Sequence, residues 1–233
     1  LVRRAHIVFT SSQQLRDERQ PLNPNTHFVS HGVDAAHFAR ALDPTTDVPQ
    51  DVRGLPRPVV GFFGLLSDDW VDLSLLRAIA VARPAWSLAL LGKTMMDLRP
   101  IRALPNVHLL GQKPYSALPA YCRGFDVGII PFRRSELTVR ANPLKLREYL
   151  AAGLPVVSTL LPEVARYGSL VHLADGPEAF IAEIERATNE RSDPLVRRRV
   201  EAMRQEAWDL RVAEMSAHIA ACFGPTGPQP VGH

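Results

Sequence analysis

From Pro58 to Ala187 the chain repeats one unit, a short apolar run rich in β-branched residues followed by a stretch with apolar side chains at helical spacing. The runs are Pro58 to Phe63, Ser87 to Gly92, Val107 to Gly111, Asp126 to Phe132, Pro155 to Thr159 and Ser169 to Leu173. Helices are predicted over 73–82, 118–123 and 143–152, near Glu163, and over 177–187, where Phe180, Ile181 and Ile184 fall on one face. The runs are continuous rather than alternating, so both faces of the sheet must be covered. An α/β fold with a Rossmann-like, doubly wound parallel sheet and right-handed crossovers meets that demand. Such sheets bind ligands beyond the carboxyl ends of their strands. One rim therefore collects Gly64 to Asp68, Gly92 and Lys93, Gly111 to Tyr115, Phe132 to Ala141, and the helix start that follows.

That helix start is the densest chemical signal. Asn142 reads as the N-cap and Pro143 as the first helical residue, which leaves the N–H groups of Leu144, Lys145 and Leu146 pointing out of the helix. A helix N-terminus attracts phosphate, and Lys145 adds a full positive charge. Glu148, about one turn on, can accept two hydrogen bonds from a vicinal diol such as a ribose. Gly153 ends the helix and Pro155 opens the next strand.

Composition narrows the classes. A chain of 233 residues with 46% hydrophobic content builds a sizeable core. No apolar run approaches the ~20 residues that span a bilayer, and the opening L-V-R-R-A-H-I-V-F-T turns polar too soon for a secretion signal. The expectation is a cytoplasmic chain. Cys122 and Cys222 fit no metal or redox pattern and read as reduced, partly buried thiols. A net charge of +3 accommodates an anionic ligand or a peripheral contact with the inner face of a membrane. Arg197, Arg198 and Arg199 lie in a Glu-containing helical segment without interleaved aromatics, so they read as a solvated face and not a nucleic-acid surface.

The segment from Asn142 to Glu163 resembles the donor-binding signature of the GT-B glycosyltransferases of family 4 (group 1). G-F-F-G at 61–64, L-L-G at 90–92, L-P-N-V-H-L-L-G at 104–111, F-D-V-G-I-I-P-F at 125–132 and P-V-V-S-T at 155–159 resemble landmarks of that family's C-terminal domain, in order. The resemblance implies a nucleotide-sugar donor, a polysaccharide or glycolipid acceptor, retention at the anomeric carbon and no resident metal or cofactor. Residues 1–40, with H-I-V-F-T-S-S, H-F-V-S-H-G and the S-H-G-V-D crossover carrying His31 and Asp34, are then the tail of an N-terminal acceptor domain. Gly32 is expected at positive φ. Residues 41–57 are a linker, 58–224 the donor domain, and 225–233 a disordered tail. Half of a two-domain enzyme is thus expected, a fragment or one partner of two chains, which binds donor but transfers little alone.

The chain departs from the family pattern twice. Glu148 resembles the second Glu of the family's E-x7-E motif, but Arg140 stands where the first belongs and cannot accept a bond from a sugar hydroxyl. It is suited to phosphate or an acidic sugar, and Glu136 in the same loop is a candidate replacement. Leu65 stands where the family carries the arginine of its diphosphate clamp, so unless the phosphates rely on backbone N–H groups, compensation must come from Lys145, Arg133, Arg134, Arg140 or Lys93. Lys145 and Arg140 are the leading catalytic candidates; Ser67 offers a hydroxyl to phosphate or a plain turn. Gly64, Gly111, Gln112, Lys113 and Tyr115 complete the donor set, the last four around the base. Trp70, Trp86 and Trp208 read as packing residues, and Asp68 with Asp69 does not form a metal motif. Two alternatives stay open: a non-catalytic nucleotide-sugar or protein-binding module, and a nucleotide-sugar epimerase, which shares the architecture.

Overall fold

A computed structural model describes residues 1–190 and 192–224; the expected disordered tail, 225–233, lies outside them. Ten strands occur in chain order among the described residues: β1 (Val8–Thr10), β2 (Thr26–Phe28), β3 (Val59–Phe63), β4 (Leu66–Ser67), β5 (Ser87–Leu91), β6 (Thr94–Met95), β7 (Val107–Gly111), β8 (Val127–Ile130), β9 (Val156–Thr159) and β10 (His172–Ala174). Six form one parallel sheet in the order β10-β9-β8-β3-β5-β7. The order reverses between β3 and β8, where a doubly wound sheet opens its ligand crevice.

The chemistry of the strands explains their place. β3, β5, β8 and β9 are buried along their whole length, as continuous apolar runs under helices on both faces require. The helices Leu73–Ala82, Leu118–Gly124, Leu144–Ala151 and Pro177–Thr188 cover them close to the predicted bounds. β4 and β6 were not foreseen. They prolong β3 and β5 as a second parallel pair beyond kinks at Gly64 (φ +144°) and Gly92 (φ +139°). A Cβ on Gly92 would stand 1.8 Å from the Gly64 carbonyl oxygen, so the two backbones meet where only glycine fits.

The flanking segments belong to the same body. β1 and β2 pair in parallel, joined by a helix, Gln13–Arg19, capped by the Ser12 hydroxyl. The 41–57 segment carries a short helix, Gln50–Arg53, and buries Val52 close against Gly124. The helix Asp193–Arg204 packs on Leu144–Ala151, and Trp208–Phe223 returns to the first strands, its His218 ring 4.0 Å from that of His27.

Two single residues differ from expectation. Gly32 does not have positive φ; glycine is required because Trp208 lies so close that a Cβ would approach its ring within 2.6 Å. Arg199 is fully buried, donating to the Leu170 carbonyl and to Glu190, while Arg197 and Arg198 stay exposed. The basic run is therefore solvated at two positions of three.

Candidate functional site

The cleft forms where β8 hands over to the helix Leu144–Ala151. The chain leaves β8 through Pro131 and Phe132, makes a short helix Glu136–Val139 held by a Ser135–Thr138 capping box, and reaches Asn142. The N-cap expectation needs correction. The cap position belongs to Pro143, extended at ψ 118° and without a side-chain cap, and the helix starts at Leu144. The Asn142 side chain is committed elsewhere: its amide N–H donates to the Ser11 carbonyl at 2.6 Å and its Oδ1 accepts from the buried Arg147 guanidinium at 2.7 Å. The Leu146 N–H turns back to the Pro143 carbonyl, so the N–H groups of Leu144 and Lys145 remain without acceptors among the described residues.

Lys145 and Glu148 stand three residues apart, hence on one helix face. The Lys145 ammonium lies 4.8 Å from the centre of the Phe132 ring and 5.4 Å from that of Phe62. Gly64 makes room for it, since a Cβ there would come within 2.9 Å of the lysine side chain. Loss of water in this aromatic setting pulls the Lys145 pKa down to about 8, against the opposing pull of the Glu148 charge. Burial pushes Glu148 up to about 7, against the favourable field of Lys145. Neither side chain makes a hydrogen bond or ion pair among the described residues. Two half-buried ionisable groups that are neither hydrogen-bonded nor ion-paired, at a strand-order switch, make this the candidate ligand site.

The other candidates fall into two adjoining hollows. A cleft of about 360 Å³ is lined by Ser11, His31, Trp70, Phe132 and the run from Arg140 to Lys145. Leu65 connects it to a smaller one, about 230 Å³, bordered by Gly64, Lys93, Gln112 and Lys113. Gly111 ends β7 at φ +70° with open space around it. Tyr115 is half exposed, stacks on His37 at 4.7 Å, and has its pKa raised to about 12 by desolvation and then by the charges of Glu148 and Asp34. The Glu148 charge is thus felt at both Lys145 and Tyr115.

Some candidate groups are already engaged or stand apart. Arg140 donates to Glu18 at 2.8 Å and to the Glu136 carbonyl, with the exposed Glu136 carboxylate 3.6 Å away. Lys113 is paired with Asp51 at 2.8 Å, and Arg134 with Asp175 at 3.1 Å. Arg133, Lys93, Asp68 and Asp69 are exposed. Ser67 lies in β4 with its hydroxyl buried and without a hydrogen-bond partner. Asp34 caps a short helix by accepting from the His37 N–H. His31 borders the 360 Å³ cleft, and burial followed by the nearby Arg147 charge lowers its pKa.

Sequence reasoning missed the buried Arg147 and the hydroxyl of Tyr149. Tyr149 accepts the Phe63 N–H at 3.0 Å and so fixes the end of β3 against the helix that carries Lys145.

Residues 57–190, over half of the chain, match the family described as Glycosyl transferases group 1. The chain belongs to this family. It is 29% identical over 206 residues to TuaH of Bacillus subtilis (strain 168), named as a glycosyltransferase of teichuronic acid biosynthesis; the match covers 83% of this chain and 51% of TuaH. Among solved structures it superposes on Anabaena HepE in complex with UDP and glucose, with a TM-score of 0.68 at 17% identity over 93% of this chain and 63% of HepE. Sucrose-phosphate synthase of Thermosynechococcus elongatus gives 0.66 at 18% identity, covering 97% of this chain and 60% of that one. These likenesses establish the fold as that of GT-B glycosyltransferases. This group 1 chain spans about half the length of the curated relative it matches. No helix among the described residues is long and apolar enough to cross a membrane.

Proposed function

We propose that this chain is the donor-binding half of a hexosyltransferase that moves a sugar from a nucleotide-diphosphate-sugar to a polysaccharide or glycolipid acceptor, with retention, in concert with an acceptor domain. The observation that carries the reading is the unpaired Lys145 and Glu148 beside an uncapped helix start. Breaking the bond to the donor sugar leaves negative charge on the diphosphate, which the N–H groups of Leu144 and Lys145 and the Lys145 ammonium are placed to stabilise. Glu148 accepts from the ribose hydroxyls, and the hollow beside Gly111, Gln112, Lys113 and Tyr115 takes the base. Arg140, held by Glu18 at the cleft rim, is the second cation. With these groups supplying the positive charge, the reading needs no resident metal or cofactor. TuaH, named for teichuronic acid biosynthesis, and HepE, solved with UDP and glucose, support a polysaccharide product and a uridine donor. The reading has the enzyme act in the cytoplasm, with acceptors of this kind allowing a peripheral contact with the inner face of the membrane.

The rival reading, a module that binds a nucleotide-sugar without transferring it, draws on Leu65 and Arg140 at the two departures from the family pattern. Donor hydrolysis or transfer by the chain together with an acceptor domain excludes that rival. Thermal-shift titration with UDP, GDP, ADP and TDP tests the main reading, since a ligand of the folded state raises apparent stability. One diphosphate is expected to stabilise the chain selectively, an effect lost in Glu148→Ala; equal stabilisation of Glu148→Ala would refute the ribose role. The chain alone is expected to bind without appreciable transfer.

A further inference from the structure

The Asn142 side chain is the natural cap for the helix Leu144–Ala151, yet it does not cap it. Capping would make Pro143 the first helical residue and would consume the N–H of Leu144 or Lys145, the two groups now facing the cleft. What diverts Asn142 is Arg147. This guanidinium is 2% exposed, donates through Nε to Glu206 at 2.6 Å and, with a second nitrogen, to Asn142 Oδ1 at 2.7 Å. Glu206 is held in turn by the Tyr167 hydroxyl at 2.8 and 2.9 Å, and its own carbonyl takes the Val33 N–H. Asn142 completes the chain by donating to Ser11.

We propose that Arg147 is a positioning residue that keeps the helix start open, by engaging the one side chain able to cap it. Its planar fork reaches Glu206 and Asn142 together. A lysine carries a compact ammonium that keeps the ion pair with Glu206 but does not reproduce the two-armed geometry. Released from the guanidinium, Asn142 turns to the helix and closes the site. The role in ligand binding rests on the anion-binding reading above; the role in capping does not.

Two measurements on Arg147→Lys test this in the full chain. By amide hydrogen exchange, protection of the Leu144 and Lys145 N–H groups is expected to rise above the original protein, at an unfolding midpoint that shows the fold intact. By calorimetry, UDP affinity is expected to fall about tenfold, the loss of one charge-assisted hydrogen bond. Arg147→Lys combined with Asn142→Ala, which has no cap to offer, is expected to return those amides to fast exchange and to recover affinity relative to Arg147→Lys alone. A merely structural arginine predicts the opposite, a double variant no better than the single one. Unchanged amide protection in Arg147→Lys overturns the proposal whether or not UDP binds. Absence of UDP binding by the original protein, with the protection changes present, leaves the capping role standing and removes the uridine donor instead.

Discussion

Lys145 and Glu148 have opposite charges and opposite pKa displacements, and both displacements come first from desolvation. Desolvation draws both pKa values toward neutrality, so each group titrates near physiological pH and donor binding becomes pH-sensitive. Below about 7 the Glu148 carboxyl is protonated and loses an acceptor; above about 8 Lys145 loses its charge. Affinity for UDP-glucose, whose diphosphate does not titrate in this range, is therefore expected to peak between these values when measured by calorimetry from pH 6 to 9. Lys145→Ala is expected to lower affinity about 10- to 100-fold and to abolish the alkaline limb. Glu148→Gln is expected to abolish the acid limb and, by removing a favourable field, to move the alkaline limb to lower pH. The same group has a consequence for folding. A carboxyl raised from its ordinary value of 4.5 to about 7 in the folded chain destabilises it progressively as pH rises through that interval, fully above 7. Glu148→Gln should thus melt higher than the original protein at pH 7.5 and at the same temperature below pH 4.5, while binding nucleotide more weakly. These two residues were legible in the sequence because their spacing and the helix-start signal are local. The commitment of Asn142 was not, since it depends on Ser11 and Arg147, and the anchor of Arg147 is Glu206, far along the chain. A charged residue among Leu146, Tyr149 and Leu150 was the only local hint.

At the scale of elements, the site is as rigid as the joint between β3 and the helix Leu144–Ala151. Tyr149, fully buried, makes that joint through the Phe63 N–H. Tyr149→Phe leaves this N–H unsatisfied, and a loss of about 1–3 kcal/mol is expected from urea unfolding, with weaker nucleotide binding than the distance to the ligand would suggest. No change in midpoint would show that the joint is held by packing alone. The six main strands and their covering helices could be read because continuous β-branched runs and helical periodicity differ in kind. β4 and β6 are two residues long, too short for any pattern, and arise because Gly64 and Gly92 let two backbones meet. The helix Gln13–Arg19 escaped for another reason: Q-Q-L-R-D-E-R buries no residue and shows no apolar stripe.

At the scale of the whole molecule, the first 40 residues lean on the last helix. His6, Phe9 and His27 meet Phe223 and His218 of Trp208–Phe223, and Gly32 lies under Trp208. Ending the chain at Ala207 is expected to strip β1 and β2 of hydrogen-exchange protection while the six-stranded sheet keeps its own; equal loss in both would mean a single cooperative unit. The sheet order brings β3 and β8 together at the switch point, and Gly64, Lys145 and Glu148 follow their carboxyl ends. That the cleft at this point holds a nucleoside diphosphate is the central claim. An amide NMR titration of the chain with UDP tests it most directly. The account predicts saturable shifts at Gly64, Gly111, Leu144 and Lys145, none at Gly153 and Glu190 at the opposite end of the sheet, and loss of the response in Lys145→Ala. Shifts confined to other residues, or none at millimolar UDP, GDP, ADP or TDP, would contradict it.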